Sequence, residues 1–378
     1  MTIVPVTPPA RRAQAVVNAL LIALGLLGLA LAADSIVNTL AAAAPATADR
    51  YTLSGPSIVI YDLAGQARLT AGTGSALVVN VTRQGDDAGE LKVATGEIHG
   101  KQTLRVLFPG NRVIYNPGPS DFNTEVRVQD DGTFGDKHDD WLSSGRKVRI
   151  SSHGSGLEAY ADLDIQVPKG QELLVRLAAG DVSVKNVNGK LRLDTGSGGV
   201  TTSGTAGELL IDTGSGDVSV TEAKGDLDID TGSGGINASG LKGDRIKMDT
   251  GSGDIRAKGI ESSDLDLDTG SGDVVASAVT ARMLRVDTGS GSVDVGLAAA
   301  AEKIDVDTGS GDVTLRVPSN SGADISFETG SGGFHSELPV ELREVDQGSY
   351  RGRLGNGSAH VVVETGSGSL RLAAFRAK

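Results

Sequence analysis

Residues 209–220 read LLIDTGSGDVSV, and the phrase Asp-Thr-Gly-Ser-Gly inside this stretch sets the architecture of the chain. The phrase recurs nine times, twice with Glu in place of Asp, and each copy is named here by its acid: Asp194, Asp212, Asp230, Asp249, Asp268, Asp287, Asp307, Glu328 and Glu364. Successive copies lie 18 to 21 residues apart, except for a last interval of 36 residues that skips one copy. Self-similarity at a period of about 20 residues indicates a solenoid of stacked repeats.

Each copy of the phrase follows a segment with period-two alternation. The residues one and three before the acid are apolar in every copy, as Ile211 and Leu209 are before Asp212. This alternation predicts a strand with one buried face, on which the acid points outward and the following Thr points inward. The residue six after the acid is also apolar in every copy, and it begins a second predicted strand.

The alternation has to slip inside the phrase, because Thr213 and Val218 are five residues apart and both are expected to face the core. Glycine accepts positive φ angles, so Gly-Ser-Gly is predicted to form a bend. Each period is therefore predicted to be two short strands and two turns, which make one coil of a β-solenoid. No proline lies between Pro168 and Pro318, so the amides there are free to form ladders along the stack.

The predicted fold is all-β, a single-stranded right-handed β-helix of about 18 to 21 residues per coil. The right hand follows from the preference of parallel crossovers, about 98 % of which are right-handed. The residue two before the acid alternates in charge from Asp228 onward, through Lys247, Asp266, Arg285 and Asp305. Opposite charges on adjacent strands favour the in-register arrangement.

Composition excludes several classes of protein. The 378 residues include 53 Gly and no Cys, and the formal net charge is −13. An electrostatic nucleic-acid binder needs a basic surface, so nucleic acid is excluded as a partner. The absence of Cys excludes disulfides and thiolate metal sites. The glycine content and strand-type patterning disfavour helical fold classes.

The sequence of the N-terminus predicts a targeting signal. Arg11 and Arg12 precede an uncharged run, residues 16–33, so residues 1–33 are predicted to be either a cleaved signal peptide or an uncleaved membrane anchor. A buried core helix is the third interpretation. The first two place the remainder outside the cytoplasm, because the positive charges precede the apolar run. The expected locations are the periplasm, the cell surface or an inner-membrane anchor through residues 16–33.

The rest of the chain divides by composition into three segments. An Ala-rich linker, residues 34–50, precedes irregular N-terminal β coils at 51–170, which are expected to cap the stack. A polar loop insertion at 109–156 interrupts these coils. Residues 171–378 are predicted to be the regular solenoid with a C-terminal cap. The missing copy of the phrase, before Glu364, predicts a hairpin-like excursion in that cap.

Three motifs together resemble the bacterial putative-adhesin family of β-strand-repeat proteins. They are the reiterated DTGSGDV and DTGSGGV, SIVIYDLAGQARL at 57–69, and LRVPSNSGADISFETGSG at 315–332. The resemblance covers roughly 51–378 and implies a β-helix behind a signal or anchor segment. The family is a domain of unknown function, so the resemblance implies no catalytic or binding residues.

Asp-Thr-Gly-Ser is also the active-site phrase of aspartic proteases, whose chemistry needs two facing carboxylates that share a proton. Copies in parallel register form a row instead, so we interpret each acid as an acceptor for turn amides. Carboxylates about 5 Å apart in water repel by roughly 0.8 kcal/mol. Weak divalent-cation binding is therefore a second interpretation of the row Asp194, Asp212, Asp230, Asp249, Asp268, Asp287 and Asp307. No obligatory metal or cofactor is expected.

The inward Thr side chains are predicted to be satisfied core hydroxyls rather than the outward Thr pairs of an ice-binding face. All twelve aromatic residues lie at or before Tyr160, or at or after Phe327, so the regular coils resemble a spacer. Aromatic side chains dominate recognition surfaces. The candidate recognition patch is therefore Phe122, Phe134 and Trp141 in the insertion, and the alternative is that these rings cap the core.

The sequence thus predicts a non-enzymatic, extracytoplasmic scaffold that is adhesin-like or associated with the cell envelope. Its expected partner is a component of the envelope or cell surface. The alternative function is a polysaccharide-active β-helix enzyme. Such an enzyme would need Asp together with Lys or Arg beside a groove, and aromatic platforms, which only the 109–156 insertion could supply.

Overall fold

The computed structural model describes residues 48–118, 121–135 and 145–376. These residues belong to one compact unit, 48–378. The predicted signal or anchor segment at 1–33, most of the linker, and Trp141 lie outside the described residues. Within the described ranges, no helix is both long enough and apolar enough to cross a membrane.

The N-terminal part of the unit contributes six strands to a large sheet: β1 (Ala48–Leu53), β2 (Ser57–Ala64), β3 (Ala67–Ala71), β4 (Leu77–Gln84), β5 (Lys92–Ile98) and β6 (Lys101–Leu107). A 3₁₀ helix, Ala88–Glu90, precedes β5. The insertion, together with the two residues that follow it, then forms a separate four-stranded sheet: β7 (Arg112–Ile114), β8 (Asn123–Val128), β9 (Arg146–Ser151) and β10 (Leu157–Glu158).

The chain returns to the large sheet and winds through the regular coils: β11 (Tyr160–Val167), β12 (Gln171–Ala179), β13 (Val182–Lys185), β14 (Gly189–Ser197), β15 (Val200–Ser203), β16 (Leu209–Ser215), β17 (Val218–Thr221), β18 (Leu227–Ser233), β19 (Ile236–Thr250), β20 (Ile255–Thr269), β21 (Val274–Thr288), β22 (Val293–Leu297), β23 (Lys303–Thr308) and β24 (Val313–Val317). The C-terminal strands are β25 (Ala323–Ser331), β26 (Phe334–Ser336), β27 (Val340–Asp346), β28 (Ser349–Leu354), β29 (Ala359–Ser367) and β30 (Leu370–Ala374).

Parallel pairing joins each coil to the next at the period that the sequence predicts. Asp212 pairs with Asp194 on one side, 18 residues earlier, and with Asp230 on the other, 18 residues later. Further along the stack the offset becomes 19 residues, as between Asp249 and Asp268. The all-β architecture with a long, mostly parallel sheet fits a β-solenoid.

Each coil has three sides, whereas the sequence predicted two strands and two turns. The first side holds the strand that ends in the phrase, and the second holds the strand that follows it. The third side is short, and parallel bridges connect Asn188, Ala206, Lys224 and Lys242 along it. Its buried column is Val187, Thr205, Ala223, Leu241, Ile260, Val279 and Leu297. The sequence pattern does not reveal this side, because one inward residue per coil is too few to produce alternation.

The core lies between the three sides, and the predicted inside–outside parity is confirmed. Leu209, Ile211 and Thr213 are buried on the first side, and Val218 is buried on the second. Asp212 is exposed between them. Because the side-chain period of a strand is two, this parity fixes which face of every stacked strand is apolar.

Glycine is required in the phrase because the backbones of adjacent coils approach closely there, and not because the backbone adopts a positive φ. Gly198 has a φ of 147°, but neither Gly214 nor Gly216 has a positive φ, so the predicted reason for the bend is wrong for the regular copies. A Cβ on Gly216 would lie 2.1 Å from the carbonyl oxygen of Gly198 in the preceding coil. No side chain fits at that separation, so glycine is the residue that lets the coils stack at the bend.

The spatial order of the last strands differs from their order in the chain. Strand β29 lies between β23 and β25, so Val361 pairs with Ile304 on one side and with Ile325 on the other. The predicted excursion is the hairpin β27–β28, and β28 pairs antiparallel with β25 at the end of the stack. At the opposite end, β1 and β11 both pair antiparallel with β4.

Candidate functional site

The acids of the phrase form one ladder across the first side of the stack. In spatial order the ladder is Asp194, Asp212, Asp230, Asp249, Asp268, Asp287, Asp307, Glu364 and Glu328. Adjacent strands are about 4.8 Å apart, so each carboxylate except Asp194 and Glu328 at the two ends has neighbours of the same charge on both sides. The acids lie side by side on one sheet face, and this arrangement is not the facing pair that an aspartic protease uses.

Burial and like charge shift the ionisation of alternate acids in the ladder. The pKa of Asp230 is raised, first by desolvation and then by the charges of Asp249 and Asp212. The pKa of Asp268 is raised for the same reasons, with Asp249 and Asp287 as its charged neighbours. Desolvation and the neighbouring carboxylates therefore both oppose the ionisation of these two acids.

Nearby cations offset part of this repulsion. Arg176 Nε donates to Asp194 Oδ2 at 2.9 Å, and Lys247 Nζ donates to Asp249 Oδ2 at 3.0 Å. Arg285 lies 3.7 Å from Asp287. The outward charges that alternate two residues before the acids lie in register, as predicted. Lys247 and Arg285, however, each form an ion pair with the ladder acid two residues further along the same strand.

Weak binding of divalent cations stays a prediction for this ladder. In the described ranges, no group of three or more His, Cys, Asp or Glu side chains is arranged to hold a metal ion. A ladder supplies each position with only two neighbouring carboxylates on one face. Hard cations such as Ca²⁺ take six to eight oxygen ligands, so any binding here would be weak.

The Thr of the phrase has a structural role, as the parity predicts. Thr231 Oγ1 donates to the carbonyl oxygen of Gly216 at 3.1 Å, which joins one bend to the bend before it. The same bond is made by Thr195, Thr213, Thr250, Thr269, Thr288, Thr308, Thr329 and Thr365. These hydroxyls are satisfied within the core and are not presented to a ligand.

Turn amides bond to a second acid, whereas the sequence predicted that the first acid of the phrase would accept them. Asp217, five residues after Asp212, accepts the backbone N–H of Gly235 in the following coil at 2.8 Å. Asp254 accepts the N–H of Asp273 in the same way at 2.9 Å. The acceptor is therefore the residue that begins the second side, and it bridges two coils rather than closing a local turn.

The candidate recognition patch is divided between the core and the surface. Phe134 is buried, and its ring packs edge-on against Tyr61 with centroids 5.7 Å apart. Phe122 is half-buried and packs edge-on against Tyr115 at 6.2 Å. Trp141 lies outside the described residues. Of the two described rings, only Phe122 is available to a ligand.

Phe122 lines an open cleft of about 350 Å³ on the four-stranded sheet. The cleft is also lined by Arg112, Asp121, Asn123, Arg149, Ser151 and His153. Arg112 pairs with Arg149 across β7 and β9, and Glu125 on β8 faces Arg149 from the other side. Asp121 lies 3.8 Å from His153. No pattern in the sequence indicates this grouping, because residues 37 positions apart meet only through strand pairing.

Comparison with known proteins gives two solved structures of low similarity. A crystal structure of a putative cell adhesion protein from Clostridium sporogenes covers 87 % of this chain and 100 % of its own, at 10 % identity and a TM-score of 0.19. A crystal structure of a putative adhesin from Bacteroides fragilis covers 86 % of this chain and 96 % of its own, at 10 % identity and a TM-score of 0.29. These scores are too low to establish a shared function. No curated protein matches the chain.

A family match covers the regular coils. The sequence pattern of the Toastrack DUF4097 family matches residues 160–373, which is more than half of the chain. The match begins at the start of β11, ends within β30 and includes all nine copies of the phrase. The resemblance to a β-strand-repeat family of unknown function is thereby confirmed. This chain belongs to the Toastrack DUF4097 family.

Proposed function

We propose that this chain is a non-catalytic, extracytoplasmic scaffold, adhesin-like or associated with the cell envelope. In this proposal a right-handed β-solenoid carries a recognition element formed by the insertion. The observation that carries the proposal is the separation of the two parts. Strands β7–β10 form their own sheet, distinct from the 26-stranded sheet of the stack.

The chemistry of the phrase supports a structural role for the coils. Thr213 bonds to Gly198 in the preceding coil, Asp217 bonds to Gly235 in the following one, and Gly216 permits close stacking. These polar groups are engaged within the stack. The insertion is different, since the guanidinium groups of Arg112 and Arg149 lie on an exposed face beside an open cleft.

The proposed location rests on charge order at the N-terminus. Arg11 and Arg12 precede the uncharged run at 16–33, and positive residues are retained on the cytoplasmic side of such runs. The proposed partner is a component of the envelope or cell surface. A chain with a net charge of −13 has no electrostatic attraction to nucleic acid.

One observation favours the polysaccharide-active alternative. The cleft brings Asp121 together with Arg112 and the half-exposed ring of Phe122, which are the residue types that such an enzyme needs. The side chain of Asp121 is 88 % exposed, however. Catalytic carboxylic acids in glycosidases depend on a pKa raised by burial, and an exposed carboxylate lacks that environment. We therefore rank binding above turnover.

The test is a screen of the full chain against a panel of surface polysaccharides and isolated envelope components. Two quantities are measured in parallel, retention on each component and the appearance of new reducing ends or cleaved peptides. We expect retention without turnover. Polysaccharide cleavage would favour the enzyme instead, and pepstatin-sensitive peptide cleavage lost in Asp212→Asn would favour a protease. Absence of any retention contradicts the recognition role.

A further inference from the structure

We propose that the cleft on sheet β7–β10 binds a carboxylated sugar within an acidic polysaccharide. Arg112 and Arg149 hold the carboxylate in this proposal, and Phe122 supports the sugar ring. The inference rests on the proposed function, because it names the class of ligand that the recognition element takes. Its observations are the arginine pair, the charge around it and the mixed polar and aromatic lining of the cleft.

The arginine pair is the first observation. Arg112 and Arg149 are in-register partners on parallel strands, and both are exposed while their neighbours Val113 and Ile150 are buried. Their side chains therefore leave the same face of the sheet at adjacent positions. Like charges directly opposite each other destabilise a sheet, so this placement is unfavourable without an anion.

Nearby acids neutralise this pair only in part. Glu125 lies 3.8 Å from Arg149, but its closer contact is Lys147, whose Nζ is 2.9 Å from Glu125 Oε1. Arg112 has no salt bridge among the residues that the structure describes. A single guanidinium group can bind a carboxylate in a bidentate manner, and the cleft is lined by two of them.

The charges of the protein limit the ligand. Arg127, Lys147 and Arg149 lie on β8 and β9 and favour an anion at the cleft, but the chain as a whole has a net charge of −13, which disfavours a densely charged polyanion. A polysaccharide with one carboxylate per sugar brings a single charge to the arginine pair. Asp121, on the cleft lining beside His153, repels the carboxylate and directs it toward Arg112 and Arg149.

The lining of the cleft fits a sugar better than a simple anion. Phe122 is held by its edge contact with Tyr115, so it presents a fixed apolar surface. Asn123 and Ser151 add an amide and a hydroxyl that can bond to sugar hydroxyls. The volume of about 350 Å³ is at the small end of ligand sites, which suits one or two sugar rings.

The test uses isothermal titration of the full chain with three probes. They are an oligogalacturonate, the carboxyl-reduced oligomer of the same length, and inorganic polyphosphate. We expect the oligogalacturonate to bind more tightly than either of the others. Arg112→Gln and Arg149→Gln are each expected to weaken its binding about tenfold or more. Phe122→Leu is expected to weaken binding while keeping the packing against Tyr115.

Lys258→Gln is the matched control, since Lys258 is an exposed cation on the regular coil β20. It removes the same charge outside the cleft, and its binding is expected to equal that of the wild type. Thermal melts of all four variants check that folding is retained. Equal losses for Lys258→Gln and Arg149→Gln, or equal binding of the neutral oligomer or polyphosphate, overturn the proposal.

The outcomes also separate this inference from the proposed function. Retention on other envelope components without oligogalacturonate binding overturns the sugar assignment and leaves the scaffold role intact. Arginine-dependent binding followed by cleavage of the oligogalacturonate overturns the non-catalytic role and leaves the assigned site intact.

Discussion

Thr213 Oγ1 donates a hydrogen bond of 3.1 Å to the carbonyl oxygen of Gly198, the last residue of the phrase in the preceding coil. Successive copies are therefore bonded to each other at the same point in every coil. The phrase recurs because each copy is the binding partner of the copy before it. This explains why Asp-Thr-Gly-Ser-Gly is repeated without any facing pair of acids.

Removing one of these hydroxyls should destabilise the stack. Thr213 is buried, so Thr213→Val leaves the carbonyl of Gly198 without its donor, at a cost of about 1–3 kcal/mol in unfolding free energy. Thr213→Ser keeps the donor and should lose less. Thr201→Val, at an exposed position, is the control and should be near neutral. Urea melts measure all three, and an unchanged midpoint for Thr213→Val would show that the bond does not stabilise the stack.

A methyl group at the bend should be worse than the loss of a hydrogen bond. The Cβ of Gly216→Ala would lie 2.1 Å from a backbone oxygen, which forces the two coils apart, and we expect a loss above about 2 kcal/mol. Gly333 follows the phrase at Glu328, and a Cβ there meets no atom within 4 Å. Gly333→Ala should change stability by less than about 0.5 kcal/mol. Similar melting temperatures for the two variants would contradict the close-approach explanation.

Stability should fall with rising pH because of one buried acid. Asp62 is the strand-pairing partner of Leu177, which is in turn the partner of Thr195. Asp62 therefore continues the column of inward Thr residues toward the N-terminal end of the stack. Burial raises the pKa of Asp62 well above its ordinary value of 3.8; the N–H of Ala64 opposes this shift, and the charge of Asp162 adds to it. The folded state thus keeps a proton that the unfolded state releases. The stabilisation is complete below the ordinary pKa and is lost as pH rises toward the folded pKa.

The variant Asp62→Asn cannot ionise, so its stability relative to the wild type should increase from pH 4 upward through that window. Urea melts at pH 4, 6 and 8 measure the difference. Asp164→Asn is the matched control from the neighbouring strand β11, because the side chain of Asp164 is 55 % exposed to solvent. If the stability difference between the wild type and Asp62→Asn stays constant with pH, Asp62 is not protonated in the folded protein.

One whole coil should be removable. Met248 pairs with Leu267 and Asp249 with Asp268, so excision of residues 249–267 joins Met248 to Asp268 in phase. Coils that contact mainly their neighbours are energetically modular, so this protein should fold with a shorter stack. Excision of 18 or 20 residues from the same start shifts the inward face and exposes apolar side chains, at about 1.5–3 kcal/mol each. Circular dichroism and thermal melts compare the three, and equal unfolding of all three would contradict the coil register.

The regular coils were predictable because their alternation is local. Ile211 and Thr213 were assigned to the core from parity alone, and both are buried. The third side was not predictable, since a lone inward residue such as Ala223 has no alternating neighbours to reveal it. Parity also states which face a strand buries but not which strand lies beside it. The position of Val361 between Ile304 and Ile325 therefore could not be predicted from the sequence.

The candidate sites were predictable to a similar degree. The spacing of the phrase gives the acid ladder, but it does not reveal that Asp217 rather than Asp212 bonds to the turn amide of another coil. The candidate recognition patch within the insertion was chosen by its aromatic residues, of which Phe134 packs in the core. Arg112 and Arg149 meet only through the pairing of β7 with β9, and no periodic pattern in the insertion encodes that pairing.

The placement of β29 between β23 and β25 has a consequence for how the molecule is completed. A ribosome makes β25 before β29, so the native stack cannot be built by adding coils in the order of synthesis. Strand β25 carries the same phrase as β29, yet in the native stack the place beside β23 belongs to β29, which is made later. A chain that stops after residue 356 lacks both β29 and β30, the strands that join β23 to β25 and β24 to β26. Such a chain is left with an open seam inside its sheets, with unpaired backbone on both edges, rather than with a shorter rod.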